Sequence, residues 1–156
     1  MMDTIDYLPP ENIYTVDPTR RTDIPFWETT VRAGFPSPAE NYSRERLNLQ
    51  DLCVQHPDCT HFVKAVGESM TGDYIFPGSI LVVDTTIPID TGRVIVAWVN
   101  GGWCVKRFVR KEAMIVLESS NEAYLPIYLH EDRDQLIVLG VVTFIVSKPP
   151  KYARPR

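Results

Sequence analysis

From residue 61 onward the apolar positions fall in short runs rich in β-branched and aromatic residues, each bounded by Gly, Pro or Asn. Segments 61–66, 80–84, 93–100, 103–110, 114–118 and 135–146 therefore read as β-strands. Asn100-Gly101 is a strong two-residue turn signal, so 93–100 and 103–110 are expected to pair as a hairpin, with Gly102 free to add a bulge. Helical spacing shows only in Leu49, Leu52 and Cys53 behind the N-cap candidate Asn48, which predicts a short helix to about Gln55. Connections are short and no long helical period separates the strands. The expected fold class is mostly β: a compact antiparallel or mixed domain, partly closed or folded over itself.

Residues 1–33 carry no sustained period and include Pro9, Pro10, Pro18 and Pro25. Proline fixes φ and removes a donor, so this stretch reads as an extended, flexible arm. Its patch Ile24-Pro25-Phe26-Trp27 is apolar enough to dock. Ala33-Gly34-Phe35-Pro36-Ser37-Pro38 then reads as a linker between arm and domain.

With 156 residues, 44% of them hydrophobic, the chain can bury one real core but not two comfortable ones. It has no run near the ~18–20 apolar residues of a membrane span, and its start lacks the basic and apolar stretches of a signal peptide. Cys53, Cys59 and Cys104 are an odd, sparse set that fits a reducing cytoplasm better than a disulfide scaffold. The net charge of −4 divides into −3 over 1–33, −5 over 34–146 and +4 over the last ten residues. An acidic body with a short basic tail (148–156) argues against strong direct binding to duplex DNA.

Ser69 stands where a strand ends and a loop begins, after Gly67. A serine there can present its hydroxyl beside backbone N–H groups able to hold an oxyanion, but it needs a base. His56, His61 and His130 are candidates, none with an orienting acid nearby in sequence. Lys106 is the other: period-two alternation sets it on one face with Cys104 and Phe108, where desolvation would lower its pKa. Arg107 shares the opposite face with Trp103, Val105 and Val109, so alternation leaves open which face is the core. On residues alone a solvated strand end and a turn-capping serine are the commoner readings. Cys53, His56, Cys59 and His61 have a metal-like spacing, yet a tetrahedral site is normally closed by two separated ligand pairs, so no metal is expected.

Together, Glu68-Ser69-Met70, Gly78, Leu81-Val82-Val83-Asp84 and Val105-Lys106-Arg107 resemble the LexA/UmuD family of self-cleaving serine peptidases over about residues 33–146. Gly34-Phe35-Pro36-Ser37-Pro38-Ala39, followed by Leu47, Leu49, Leu52 and Gln55-His56-Pro57, is similar to the UmuD branch. Gly78-Ser79 departs from the family's usual Gly-Asp, and Ala33 from the cysteine of UmuD. The resemblance implies a peptidase domain of twisted antiparallel sheets over 34–147 behind the arm. It implies Ser69 as nucleophile, Lys106 as general base, N–H groups near Glu68 and Ser69 as oxyanion hole, and Ala33–Gly34 as the scissile bond. It further implies a homodimer supported by the apolar strand 136–146, stimulation by a RecA filament on single-stranded DNA, and a truncated product acting with a UmuC-like Y-family polymerase in translesion synthesis. No cofactor is implied.

Three other readings compete. A signal peptidase also uses a serine and a distant lysine, but it needs a membrane anchor. A polymerase-binding adaptor would leave Ser69 and Lys106 idle. A stand-alone damage-response regulator would need no polymerase. A repressor with a helix-turn-helix domain is disfavoured, since only 33 residues precede Gly34.

Overall fold

The computed structural model describes residues 13–16, 19, 24–27 and 44–149. Strands β1 (Ile13–Thr15), β2 (Ile24–Trp27) and β3 (Arg44–Leu47) precede helix α1 (Leu49–Cys53). Then follow β4 (Thr60–Lys64), β5 (Ile80–Asp84), β6 (Val94–Val99), β7 (Gly102–Lys111), β8 (Met114–Glu118), β9 (Ile127–His130) and β10 (Leu136–Val146). Eight strands form one antiparallel sheet in the order β1-β4-β5-β10-β6-β7-β8-β9, and β2 pairs with β3 separately. The chain is mostly β, as its apolar pattern predicts. Among the described residues, no helix is long and apolar enough to cross a membrane.

The last strand sits in the middle of the sheet. β10 pairs with β6 through its first half and with β5 through its second, with register shifts at Val138/Gly140 and Val142/Phe144. Such irregularities bend a strand and sharpen its twist. Gly140 allows the close approach to β5, because a Cβ there would lie 2.6 Å from the Asp84 carbonyl oxygen.

Both faces of the β6–β7 hairpin are covered. Val94, Val96, Trp103 and Val105 join a cluster with Val63, Met70, Leu81 and Val83. Ile95, Ala97, Cys104 and Phe108 join a second, with Leu117, Leu129 and Val141. This explains why alternation does not single out a core face. Leu81, Ile95 and Leu117 are wholly buried, each contributing about 1.5–3 kcal/mol.

Asn100 (φ 45°) and Gly101 (φ 105°) form the hairpin turn in the left-handed region. Gly102 pairs in register with Val99, so it adds no bulge. The Asn48 side chain accepts from the Gln50 N–H at 2.8 Å and caps α1. The helix ends at Cys53, before the expected Gln55, because Val54 turns extended and is buried.

The sequence pattern misses β1, β2, β3 and β9, each of three or four residues, too short for a period to show. Two of them belong to the stretch read as an arm: β1 adds to the sheet beside β4, with Tyr14 opposite Phe62, and β2 carries Pro25 opposite Arg46. The linker 33–38, with Ala33 and Gly34, and the tail from Pro150 onward lie outside the described residues.

Candidate active site

The chain leaves β4 through Ala65, Val66 and Gly67 and returns to β5 through Gly78 and Ser79. The neck of this loop is closed by Ala65 N–H to the Ser79 carbonyl (2.8 Å) and Gly78 N–H to the Ala65 carbonyl (2.9 Å). Gly67, at φ 79°, supplies the left-handed residue two before Ser69. Met70 anchors the loop: its side chain is buried in the first cluster, and its carbonyl accepts from Asp73 and Ile75 at 3.1 and 3.2 Å. Ser69 itself stays partly exposed and lines a pocket with Gly67, Met70, Trp103, Cys104 and Val105. Among the described residues, the Ser69 and Met70 N–H groups donate to no partner, which leaves them able to face an anionic oxygen. At the unusual Gly78-Ser79 step, the Ser79 hydroxyl accepts from the Phe76 N–H (3.1 Å) and shares a hydrogen bond with the Ser147 hydroxyl (2.6 Å).

Lys106 is 8% exposed in the middle of β7. On one side it faces Ile95 in β6. On the other, the β7–β8 register that pairs Arg107 with Glu118 sets the next residue, Ser119, across from it. Lys106 Nζ donates to Ser119 Oγ at 2.9 Å and lies 5.9 Å from the centre of the Tyr124 ring. Burial pushes the lysine below its ordinary pKa, and Cys104 offsets this only in part. The Cys104 thiol is pushed up by the same burial.

Ser69 and Lys106 are tied together through the segment after β8. Ser119 takes the lysine. Ser120 Oγ accepts from the Asp73 N–H at 3.0 Å. Asn121 gives its N–H to the Ser69 carbonyl (3.1 Å) and its Nδ2 to the Glu68 carbonyl (2.9 Å). The lysine's hydrogen bond thus goes to Ser119 and not to Ser69. A second tie joins the serine loop to β7: Arg107 forms an ion pair with Asp73 and donates to the Gly92 carbonyl at 2.6 Å.

Sequence reasoning misses Ser119, Asn121 and Asp73, which read as ordinary loop polar residues. The signal that finds Ser119 is register: a two-residue turn at Glu112-Ala113 fixes it opposite Lys106.

The histidines lie elsewhere. His56 does have an acid partner, 28 residues away in sequence: its Nδ1 is 2.8 Å from Asp84 Oδ2, and Thr86 donates its N–H and hydroxyl to Asp84 Oδ1 at 2.8 and 2.6 Å. Asp84 pairs with Thr60, the start of β4, whereas the serine loop leaves from its far end. His61 is buried, and His130 lies in β9. Among the described residues, no three His, Cys, Asp or Glu side chains converge as metal ligands. Cys53 instead lines an apolar groove with Phe62, Val82 and Phe144.

The Peptidase S24-like family matches residues 25–143. Protein MucA of Salmonella typhimurium is 33% identical over 85% of this chain and 90% of its own length. Protein SamA of Salmonella typhimurium strain LT2 is 36% identical over 80% and 85%. The LexA repressor of Colwellia psychrerythraea is 30% identical over 74% of this chain, but only 54% of the repressor is covered.

Proposed function

The chain belongs to the Peptidase S24-like family, and on that premise we propose that it is a UmuD-type peptidase that cuts its own Ala33–Gly34 bond with Ser69 and Lys106. The observation that carries this reading is the burial of Lys106 on β7, which favours a neutral amine able to act as a base. Ser69 Oγ attacks the Ala33 carbonyl carbon while its proton passes to Lys106 Nζ. The oxyanion is held by N–H groups of the Glu68–Met70 turn. Collapse breaks the C–N bond, and the Gly34 nitrogen leaves with the proton from Lys106. Water then releases the acyl group from Ser69. Small residues on both sides of the bond suit entry of an extended strand into the confined pocket beside Trp103.

The family resemblance extends the proposal to partners. A RecA filament on single-stranded DNA accelerates the cut by favouring the pose in which the bond lies over Ser69. The product beginning at Gly34 acts as a homodimer with a UmuC-like Y-family polymerase in cytoplasmic translesion synthesis. One observation favours the non-cleaving adaptor instead: among the described residues, no hydrogen bond joins Lys106 to Ser69. Incubation of the full chain with a RecA filament separates the two. Faster appearance of a fragment beginning at Gly34 supports the peptidase, and an uncut chain supports the adaptor.

A further inference from the structure

We propose that Ser119 is a positioning residue for self-cleavage: its hydroxyl takes one N–H of Lys106 and so leaves the amine's lone pair directed to Ser69. The inference rests on the peptidase reading above and adds a third side chain to it. Three observations carry it. The β7–β8 ladder ends at the pair Arg107–Glu118, so Ser119, the first residue past β8, continues its register by one step to the position beside Lys106. The contact is made, at 2.9 Å, by a half-buried hydroxyl. The same short segment grips the nucleophile's loop through Asn121, which holds the Ser69 and Glu68 carbonyls. Its own shape is fixed by an Asx turn, with Asn121 Oδ1 accepting from the Ala123 N–H at 3.0 Å.

A lysine has four side-chain torsions and a freely rotating amine, so burial alone does not aim it. Ile95, on the β6 side, offers no hydrogen bond. A neutral amine has two N–H bonds and one lone pair. Committing one N–H to Ser119 stops the rotation while the lone pair stays available. When Ser69 gives up its proton, Lys106 becomes an ammonium that still donates to Ser119, and the extra proton leaves with the Gly34 amine. Ser119 neither gains nor loses a proton over the cycle. Among the described residues, the ionisable groups facing Lys106 are Cys104 on its own strand and Tyr124 on the segment after β8.

Because Ser119 accepts from the ammonium, it favours the charged form. Removing it is expected to move the Lys106 titration to lower pH and to lower the maximal rate, two effects that loss of folding alone would not produce together. The test is the rate of self-cleavage against pH for the full-length wild type, Ser119→Ala and Ser119→Thr, with circular dichroism as a folding control. Ser119→Ala is expected to lower the plateau about 10- to 100-fold and to shift the acidic limb to lower pH, while Ser119→Thr, which keeps the hydroxyl, recovers most of the rate. Lysine side-chain NMR on uncleavable Ser69→Ala should show the same shift when Ser119→Ala is added. A Ser119→Ala chain with the wild-type rate and profile overturns the role of Ser119 alone. A wild type that never cleaves overturns the peptidase reading and this inference with it.

Discussion

Arg107 and Asp73 form an ion pair that joins the residue after Lys106 to the residue four beyond Ser69. Both side chains are partly buried, 33% and 21% exposed, so the pair is screened less than a surface one. Asp73→Ala leaves Arg107 only the Gly92 carbonyl. The expected cost is about 1–2 kcal/mol in denaturant unfolding, with a larger fractional loss in self-cleavage, because the serine loop loses a tie to β7.

Lys106 makes the reaction depend on pH with a definite sign. The amine works unprotonated, so unaided cleavage should rise with pH and level off below the ordinary lysine value of about 10.4, since burial lowers the pKa. Stability follows the same titration. Between the depressed folded pKa and the unfolded value the unfolded chain holds more protons, so unfolding free energy rises with pH across that window. Lys106→Met removes the cost of burying the ammonium. It should abolish cleavage and stabilise the fold by about 1 kcal/mol at neutral pH in thermal melts.

Asp84 provides a control away from the dyad. Burial pushes its carboxyl up, but hydrogen bonds from His56 and Thr86 prevail and hold it below the usual carboxylate range. Its contribution is therefore full above the unfolded pKa of about 3.9 and is lost as pH falls through the folded value. Asp84→Asn should destabilise by about 1–3 kcal/mol at pH 7, with the difference shrinking in melts at acid pH. Cleavage per folded molecule should not change.

Gly72 marks the tightest contact between the serine loop and the segment after β8. A Cβ there would come within 2.2 Å of the Ser120 carbonyl oxygen, which is backbone and cannot swing away. Gly72→Ala should force the two segments apart, costing about 1–3 kcal/mol and lowering cleavage, while β-sheet circular dichroism is retained.

Much of this arrangement is legible in the sequence, and the boundary is physical. Strands of five residues or more declare themselves: β5 and β8 fall where the apolar runs place them, and Asn100-Gly101 makes the turn its residue types demand. The desolvation of Lys106 is only half legible: Cys104 and Phe108 share its face, but Trp103, Val105 and Val109 make the other face equally apolar. Only the covering of both faces shows that the lysine is buried and not at a solvated strand end. Strands of three or four residues such as β1 and β9 are not readable, because main-chain pairing rather than side-chain period defines them. Contacts between distant segments are equally hidden. His56 with Asp84, Arg107 with Asp73 and Asn121 with Ser69 depend on how strands align in space, and only Ser119 follows from a countable register.

The central claim is that Ser69 and Lys106 together cut the bond before Gly34. It is tested most directly by the intact mass of purified wild type, Ser69→Ala and Lys106→Ala after the same incubation at alkaline pH. The expected result is a fragment beginning at Gly34 from the wild type alone. An uncut wild type, or the same fragment from either variant, would contradict it.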